Sequence, residues 1–508
     1  MTSTTSDLSD LVKPGFPVAH DQARLDRGLA RGLAWSGAAR WGGQLLAWAA
    51  TLVVARVLTP SDYGLVAAAS VLVGLFDLTT DCGLSSALVQ AATLEKRDIE
   101  STMGVTCLVG VAAFLLLVAI APLWSMLYGD PRLTTVIVVM GSGVVFTAVG
   151  SVPRGMLERQ LHFPLLAKGQ FVQGAVGALI TLGLAYATRS YWALAGGFVV
   201  SKLAYAAVLS ALARVRPRLP RRNARLRSML RFGYILTGDR VLWYVRQSLD
   251  IAIVGRLFGT HLLGFYSMAL ALARVPVDKL AAVIGPVAFP VFSRAGGDPG
   301  ALRRHYLALS VGTTTFVLPM SVGLALTAPR LVPLLLGSQW TASVPLLQIF
   351  AATTPVVLLW SLNQPALMAV GKIAVNFRLS LFMAVLLPLA SLFGANWGMV
   401  GVAAGGAIAY LAIAVCGFIL TWRILDLRTA EYLRPLVPVL SATAGMCCVV
   451  LATGTWLPAH WPPTVILLGE IVAGIVAYPL WLLCLHRTVM LGQLRAARLA
   501  WSGGGGAP

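Results

Sequence analysis

Residues 51–70 read TLVVARVLTPSDYGLVAAAS, and residues 251–270 read IAIVGRLFGTHLLGFYSMAL. The two stretches superpose without a gap at an offset of 200 residues. Four positions are identical in the two stretches: Val54/Val254, Arg56/Arg256, Gly64/Gly264 and Ala69/Ala269. Upstream, Arg31/Arg231 and Arg40/Arg240 match at the same offset. Self-similarity at a fixed spacing is typical of an internal repeat. The sequence therefore predicts two copies of one structural unit.

The composition indicates that these copies lie in a membrane. Hydrophobic residues make up 58% of the 508 residues, charged residues make up 11%, and the mean hydropathy is +0.80. A soluble domain carries about 25% charged residues. Apolar runs of about 20 residues recur after residue 32, each long enough to cross a bilayer as a helix, and strand-like alternation is absent. We expect fourteen spans, near 33–57, 63–89, 101–127, 133–153, 165–187, 191–213, 232–257, 262–290, 307–328, 342–369, 375–394, 398–422, 435–456 and 464–486.

The spans and the repeat together define a fold class. Each copy contains six spans, an even number, so both copies enter the membrane in the same orientation. We predict an all-α membrane protein with about 14 transmembrane helices, in two pseudo-symmetric six-helix lobes plus two C-terminal helices, and a substrate site between the lobes. The predicted parts are a cytoplasmic tail (1–30), an N-lobe (31–213), a basic cytoplasmic linker (214–231), a C-lobe (232–424), helices 13 and 14 (425–486) and a cytoplasmic C-terminal tail (487–508).

The formal net charge of +20 fits a membrane topology better than a nucleic-acid partner. Nucleic-acid binding is not expected, because the cations lie in short loops between apolar helices. Lys and Arg concentrate in alternate loops, as the positive-inside rule predicts when both termini are cytoplasmic. Residues 214–231, RVRPRLPRRNARLRSMLR, form the largest group. This linker is expected to anchor the chain at anionic lipid head groups, with a regulatory or partner-binding role as the alternative.

Motifs for metal binding or catalysis are not apparent. The six cysteines lie in apolar segments without a CxxC or His/Cys arrangement, so neither disulfides nor zinc are expected. The six histidines are scattered near loops and termini, without HExxH, GxSxG or P-loop patterns. We therefore expect no catalytic residues, no cofactor and no enzyme activity. The first 30 residues are polar and lack the apolar core of a cleaved signal peptide.

Residues 239–250, DRVLWYVRQSLD, carry four charged side chains inside an apolar run. At helical spacing, one stripe of this span contains Asp239, Trp243, Arg246 and Asp250. Arg240, Tyr244 and Gln247 flank the stripe. A charge near the bilayer centre costs at least roughly 2.5–3.5 kcal/mol, so such residues usually face a bundle interior or water. We interpret this span as lining an aqueous cavity.

Other spans add polar residues to the same group. They are Arg40 and Gln44 on span one, Asp77 and Asp81 on span two, Lys202 on span six, Arg274, Asp278 and Lys279 on span eight, and Glu470 on span fourteen. One interpretation is that these residues form ion pairs that hold helices together, since Arg246 to Asp250 and Arg274 to Asp278 have i, i+4 spacing. The other is a functional cavity, because the cations concentrate at the start of each repeat.

A cationic cavity suits a diphosphate, which needs Arg or Lys to replace the water that it loses. Trp243 and Tyr244 could stack on sugar rings, and Gln44 and Gln247 are expected to line the cavity. A carboxylate that binds a proton or sodium could couple transport to a H+ or Na+ gradient. The candidates for coupling are Asp77, Asp81, Asp239, Asp250, Asp278 and Glu470.

Two stretches carry a family resemblance. ARVLTPSDYGLVAAASVLVGLFDLTTDCGLSSALVQ at 55–90 resembles the first helical hairpin of bacterial polysaccharide repeat-unit flippases. RLFGTHLLGFYSMALALARVPVDKLAAVIGPVAFPVFSR at 256–294 resembles their seventh-to-eighth helix region. These flippases belong to the multidrug, oligosaccharidyl-lipid and polysaccharide exporter superfamily. The resemblance implies an arginine-lined central cavity, which by helix placement would consist of Arg40, Arg240, Arg246 and Arg274.

The implied function is movement of an undecaprenyl-diphosphate-linked oligosaccharide from the cytoplasmic to the periplasmic leaflet of the inner membrane, by alternating access. Exopolysaccharide, capsule or O-antigen would be assembled from it, with a polysaccharide polymerase and chain-length machinery as further partners. A multidrug/cation antiporter of the same superfamily is the nearest alternative, and intramembrane acids and bases are equal in number, so the resemblance decides. A polymerase or ligase is disfavoured by the short outer loops, and a non-transporting scaffold is a third alternative.

Overall fold

The structure is a computed structural model that describes residues 42–43, 46–81, 83–90, 95–215, 217–218, 224–458 and 460–485. The predicted tails, 1–30 and 487–508, lie outside the described residues, as do Arg40, Gln44 and part of the linker. Among the described residues, helix predominates and no strand occurs. The predicted all-α class is confirmed.

The chain divides by its contacts into two compact units, residues 1–264 and 265–508. The first contains α1 (Leu46–Val57), α2 (Pro60–Thr80), α3 (Leu84–Gln90), α4 (Lys96–Tyr128), α5 (Arg132–Arg159), α6 (Phe163–Thr188), α7 (Trp192–Ala213) and the first part of α8 (Ala224–Ala295). The second contains the remainder of α8, α9 (Pro299–Leu336), α10 (Val344–Trp360), α11 (Asn363–Ala369), α12 (Ile373–Gly394), α13 (Gly398–Ile424), α14 (Thr429–Leu433), α15 (Val437–Trp456) and α16 (Pro463–Leu485). This division lies within α8, downstream of the predicted linker, and the lobe boundaries at 213 and 232 stay predictions.

The described helices account for the fourteen predicted spans. Eleven stretches are long and apolar enough to cross a membrane. Two of them, Arg240–Ala282 and Ala374–Ile424, each contain two helices, and the shorter apolar helix α1 supplies the last span. Two predicted spans are not continuous helices, which corrects the sequence interpretation. Span 63–89 is interrupted between α2 and α3, and span 342–369 is interrupted between α10 and α11.

The break after α2 has a local cause. Gly83 has a φ of 63°, a left-handed conformation that glycine adopts without strain. Asp81 precedes it, and its carboxylate accepts a hydrogen bond from the amide of Ser85 (3.1 Å). A short polar side chain that binds a backbone amide favours a new helix start over continuation. Asp81 is therefore held at a helix junction instead of inside a straight span.

The start of α2 is encoded by residues 59–62, TPSD. The hydroxyl of Thr59 accepts a hydrogen bond from the amide of Asp62, and the carboxylate of Asp62 accepts one from the amide of Thr59 (2.9 Å). This reciprocal capping box satisfies donors that a helix start leaves unpaired. Pro60 fits the first helical turn because it lacks the amide hydrogen that would be unpaired there. The capping box fixes the α1–α2 hairpin in register.

The internal repeat is visible in the backbone. The α8 helix is broken at Gly259, with φ 76° and ψ 178°, and the repeat-related Thr59 is the extended residue before α2. A Cβ atom added at Gly64 would lie 1.7 Å from the carbonyl oxygen of Thr260. One added at Gly264 would lie 1.8 Å from the carbonyl oxygen of Pro60. Each contact joins position 64 of one repeat copy to position 60 of the other. The place where α2 and α8 cross, called the Gly64/Gly264 crossing, is therefore pseudo-symmetric.

The turn between α4 and α5 is fixed by an ion pair at its surface. Gly129 ends α4 in the left-handed conformation (φ 69°). Asp130 then accepts hydrogen bonds from the backbone amide (3.1 Å) and the guanidinium (2.8 Å) of Arg132. These contacts, chiefly the guanidinium hydrogen bond, hold the pKa of Asp130 below its ordinary value. The carboxylate form therefore stabilises the turn.

The core of the second unit is aromatic. Tyr306 is fully buried beside Phe292, and its hydroxyl donates to the side-chain oxygen of Asn363 (2.7 Å). Trp422 and Tyr432 pack against each other with ring centroids 4.4 Å apart. Phe292 belongs to the FPVFSR segment at the end of α8. This segment therefore has a packing role at the end of its helix.

Candidate functional site

One side of α2 carries the polar residues of the first unit. Ser70, Gly74, Asp77 and Asp81 are spaced i, i+4, i+7 and i+11, which places them on one face of the helix. We call this set the α2 polar stripe. Each member contacts a residue from another part of the chain, described below. The stripe is therefore the site around which the intramembrane charges of the first unit are organised.

Tyr244 of α8 packs against Ser70 and Gly74, the first two members of the α2 polar stripe. Its hydroxyl donates a hydrogen bond to the backbone carbonyl of Ser70 (2.9 Å). A Cβ atom at Gly74 would lie 2.1 Å from the same hydroxyl, so only glycine leaves room for the ring. Tyr244, predicted to line a cavity, here anchors α8 to α2. The sequence contains no signal for the Ser70 contact, because a backbone carbonyl is the acceptor.

Asp77 pairs with Lys202 of α7. The Lys202 ammonium lies 2.7 Å from one oxygen of Asp77 and 3.1 Å from the hydroxyl of Thr147 on α5. It also lies 5.5 Å from the ring centroid of Phe198. The other oxygen of Asp77 is buried, and no residue in the described part of the chain donates a hydrogen bond to it. This pair joins three helices and leaves one acceptor unused.

Asp81 lies near Arg240 of α8. Their closest charged atoms are 3.8 Å apart, and the Arg240 side chain is 42% exposed. Asp81 also accepts a hydrogen bond from the amide of Ser85 (3.1 Å), and the single hydroxyl hydrogen of Ser85 is within reach of both Asp81 and the carbonyl of Ser151. Asp81 is thus held mainly by Ser85, and its contact with Arg240 is long for a hydrogen-bonded pair. The Arg240 side chain therefore keeps a large exposed fraction.

The remaining predicted residues of the 239–250 segment lie beside these contacts. Trp243 is 53% exposed, and Arg246, Gln247 and Asp250 are partly buried. Asp250 accepts a hydrogen bond from the amide of Ile251 (2.9 Å). The side chain of Asp239 lies outside the described residues. Partial exposure of a polar helix face within an apolar bundle is compatible with an aqueous lining, which stays a prediction.

The predicted residues of the second unit fall into two groups. Arg274 and Lys279 are partly buried on α8, and Asp278 is exposed near them. Glu470 of α16 is 3% exposed and forms an ion pair with Arg330 of α9. Arg330 lies two residues beyond the predicted span 307–328, but α9 continues to Leu336 and carries it inside a helix. The buried carboxylate of Glu470 explains why this arginine is stabilised there.

Gly454 makes room for the Glu470 pair. A Cβ atom at Gly454 would lie 2.4 Å from an oxygen of Glu470, and the carbonyl of Gly454 accepts from Arg330 (3.1 Å). This contact ties α9, α15 and α16 together. The sequence shows two opposite charges within or beside apolar spans, but their 140-residue separation hid the pairing.

Among the predicted carboxylates whose contacts the structure describes, Asp77, Asp81 and Glu470 each lie in an ion pair. The ion-pair interpretation applies to Asp77 and Glu470, whose partners lie at bonding distance. Arg240 differs because its contact is loose and its side chain is accessible. Within the described ranges, no three His, Cys, Asp or Glu side chains group in a way that could hold a metal ion.

Solved structures define the class of fold. The structure described as "Lipid II flippase MurJ, inward closed conformation" superposes with a TM-score of 0.72 and 14% identity, covering 90% of this chain and 99% of that one. An inward-facing multidrug resistance MATE transporter of the MOP superfamily gives a TM-score of 0.61 and 15% identity, covering 75% and 94%. The protein is therefore a multi-pass α-helical membrane protein with the fold shared by MurJ and MATE.

The chain belongs to the polysaccharide biosynthesis protein family, whose profile matches residues 53–345. A curated relative, the succinoglycan biosynthesis transport protein ExoT of Rhizobium meliloti (strain 1021), is 26% identical over 92% of this chain and 96% of its own length. The lipopolysaccharide biosynthesis protein WzxC of Escherichia coli (strain K12) is 28% identical over 73% of this chain and 75% of its own. The predicted family is confirmed.

Proposed function

We propose that this protein moves a lipid-diphosphate-linked oligosaccharide across the bacterial inner membrane, from the cytoplasmic to the periplasmic leaflet. The lipid is undecaprenyl, and the sugar is a repeat unit of an exopolysaccharide, capsule or O-antigen. Membership of the polysaccharide biosynthesis family and similarity to a succinoglycan transport protein support this proposal. Both termini are cytoplasmic, and a polymerase and chain-length machinery act on the translocated unit.

The observation that carries the proposal is that the side chain of Arg240 is exposed and only loosely paired. That side chain is 42% exposed and its guanidinium lies 3.8 Å from Asp81, whereas Asp81 has its own donor in the amide of Ser85. A diphosphate offers several charged oxygens, and arginine binds such groups with two parallel hydrogen bonds. Arg240 can therefore exchange Asp81 for a diphosphate without leaving Asp81 unsatisfied. The remaining predicted ligands, Arg40, Arg246 and Arg274, are proposed to complete the cationic lining.

Transport follows from alternating access of the two lobes around that lining, with the lipid tail remaining in the bilayer. Trp243 and the two glutamines, Gln44 and Gln247, are proposed to contact the sugar. Asp77 and Glu470 each keep one buried oxygen that accepts no hydrogen bond within the described residues. Binding of a proton or Na+ at such an oxygen would weaken the adjoining ion pair and change helix packing. These two carboxylates are the proposed coupling candidates.

A deletion strain tests the function. In a host that makes the polymer, loss of the gene should stop export and cause lipid-linked repeat units to accumulate on the cytoplasmic side. Normal export from the deletion strain would overturn the proposal. A multidrug/cation antiporter, the alternative, would instead leave the polymer unchanged and raise sensitivity to cationic drugs.

A variant tests the site separately. Arg240→Ala should reduce exported polymer by about 10–100-fold, the equivalent of one lost charged hydrogen-bonding group. Arg240→Lys should restore part of the export because it keeps the charge. The matched control is Lys168→Ala, an exposed cation at the start of α6, with membrane levels compared by immunoblot. Full export from Arg240→Ala at normal protein level would contradict the Arg240 assignment while leaving the function intact.

A further inference from the structure

The chain that follows α7 folds back onto α4. Arg214 ends α7 with a left-handed backbone (φ 50°, ψ 32°), which turns the chain sharply. Val215 packs against the buried cluster that contains Ile99. The backbone amide of Arg218 then donates to the carbonyl of Glu100 (3.1 Å). The beginning of the basic linker is therefore docked on α4 through apolar and backbone contacts.

Gly104 permits this docking. A Cβ atom at Gly104 would lie 1.9 Å from the carbonyl oxygen of Arg218, so any larger residue would push the linker away. The guanidinium of Arg218 lies 3.2 Å from the carboxylate of Glu100 on the preceding turn of α4. The close backbone contact at Gly104 and the Arg218–Glu100 ion pair therefore both hold the beginning of the linker against α4. The segment forms one wall of a depression between α4 and α7.

This depression is a cavity of about 730 Å³ with an excess of positive charge. Three of its lining residues are cations, Lys96, Arg214 and Arg218, and one is an acid, Glu100. Because Arg218 already pairs with Glu100, the charges of Lys96 and Arg214 are not balanced by the described lining. No aromatic side chain occurs among those lining residues. An anion fits this lining, whereas a nucleobase or sugar ring would have no side chain to stack on.

The cavity lies where two membrane-spanning helices end. Lys96 is the first residue of α4, and α7 ends at Ala213, just before Arg214. Leu203, Ala207 and Ala211 follow one another at four-residue spacing along α7 and are all exposed. This exposed apolar strip runs from the cavity along the span. A ligand with a phosphate at the helix ends and hydrocarbon along the strip matches both surfaces.

We propose that this cavity binds the phosphate group of an anionic membrane phospholipid. Lys96 and Arg214 contact the phosphate oxygens, and the acyl chains lie along the exposed strip of α7. Arg218 stays paired with Glu100 and keeps the linker in place. The site is separate from the α2 polar stripe and does not depend on which substrate the protein transports. A bound lipid would fasten the linker to the membrane surface.

Binding of phosphatidylglycerol to the purified full-length protein tests the proposal, with native mass spectrometry as the measurement. Phosphatidylcholine, a zwitterionic lipid without net charge, is the comparison. Wild type should retain phosphatidylglycerol preferentially. Lys96→Gln/Arg214→Asn should lower its affinity by about 25-fold, roughly fivefold for each cation lost. Asparagine at 214 tolerates the left-handed backbone, so the variant should fold. Lys96→Arg, which keeps the charge, should bind normally.

The matched control is Arg97→Gln/Lys168→Gln, which removes one arginine and one lysine that do not line the cavity. This control should bind phosphatidylglycerol like wild type. Equal retention of the two lipids, or an equal loss in control and test variants, would overturn the proposal. Inorganic phosphate in millimolar excess distinguishes the source of the anion. Phosphate should not displace the lipid, and complete displacement would show that the cavity is a free-phosphate site instead.

Discussion

Asp77 and Lys202 show how two opposite charges are stabilised among apolar helices. An isolated charge near the bilayer centre costs at least about 2.5–3.5 kcal/mol. The 2.7 Å contact between the two, and the hydroxyl of Thr147 at 3.1 Å from the ammonium, offset that cost. Neither side chain is more than 22% exposed. Removal of one partner therefore leaves the other charge without compensation.

We expect Lys202→Met to destabilise the protein by about 3–5 kcal/mol, because the carboxylate of Asp77 is then buried without its cation. Asp77→Asn/Lys202→Met should be closer to wild type, since both charges are gone. Thermal unfolding of the purified variants in one detergent measures the difference. If the double variant unfolds as early as the lysine single variant, Asp77 and Lys202 do not stabilise each other.

The Gly64/Gly264 crossing sets how closely two helices approach. Each glycine faces a backbone carbonyl at a separation that excludes a methyl group. Small residues at such crossings let membrane helices pack by close backbone contact, which replaces the hydrophobic effect that is absent between helices in lipid. The TPSD capping box fixes where α2 begins and therefore where Gly64 lies on it. The capping box therefore positions Gly64, and the two glycines allow the close approach of α2 and α8.

Gly64→Ala and Gly264→Ala should each lower the unfolding temperature, because the added methyl group forces the crossing apart. The two effects should be similar in size, since the contacts are repeat-related. Gly183→Ala in α6 is the matched control, as a Cβ atom there meets nothing within 4 Å. It should be neutral or stabilising by roughly 0.5–1 kcal/mol. The unfolding temperature is measured by fluorescence-detected size exclusion after heating. Equal unfolding temperatures for Gly64→Ala and Gly183→Ala would contradict the close helix contact at Gly64.

Across the whole molecule, the sequence predicted the elements better than their contacts. Span number and the offset of 200 residues follow from apolar runs and from self-similarity, and both can be seen in the sequence without knowing any tertiary contact. Asp77 and Lys202 were recognised as intramembrane charges, but their pairing across 125 residues depends on tertiary packing. The i, i+4 rule pointed instead to partners within one helix. The break at Gly83 was missed because it depends on the left-handed backbone of that residue and on the hydrogen bond from the amide of Ser85 to Asp81, neither of which hydropathy reports.

The predicted orientation of the molecule can be tested with single cysteines. Pro131→Cys, in the α4–α5 turn, should react with a membrane-impermeant thiol reagent added to the periplasmic side. Gln160→Cys, just after α5, should react only after the inner membrane is permeabilised, because cation-rich loops stay cytoplasmic. Native cysteines should be replaced by serine or alanine first. Labelling of both positions from the same side would disprove the predicted topology.

The Gly64/Gly264 crossing also bears on how such a chain could arise. A contact in which position 64 of one copy meets position 60 of the other, and the reverse, is the kind made by two identical subunits around a two-fold axis. A half-length ancestor could therefore have formed the same junction as a homodimer, before tandem fusion of two gene copies. After fusion, each glycine restricts substitution in the opposite copy, so the two halves cannot diverge independently at this point.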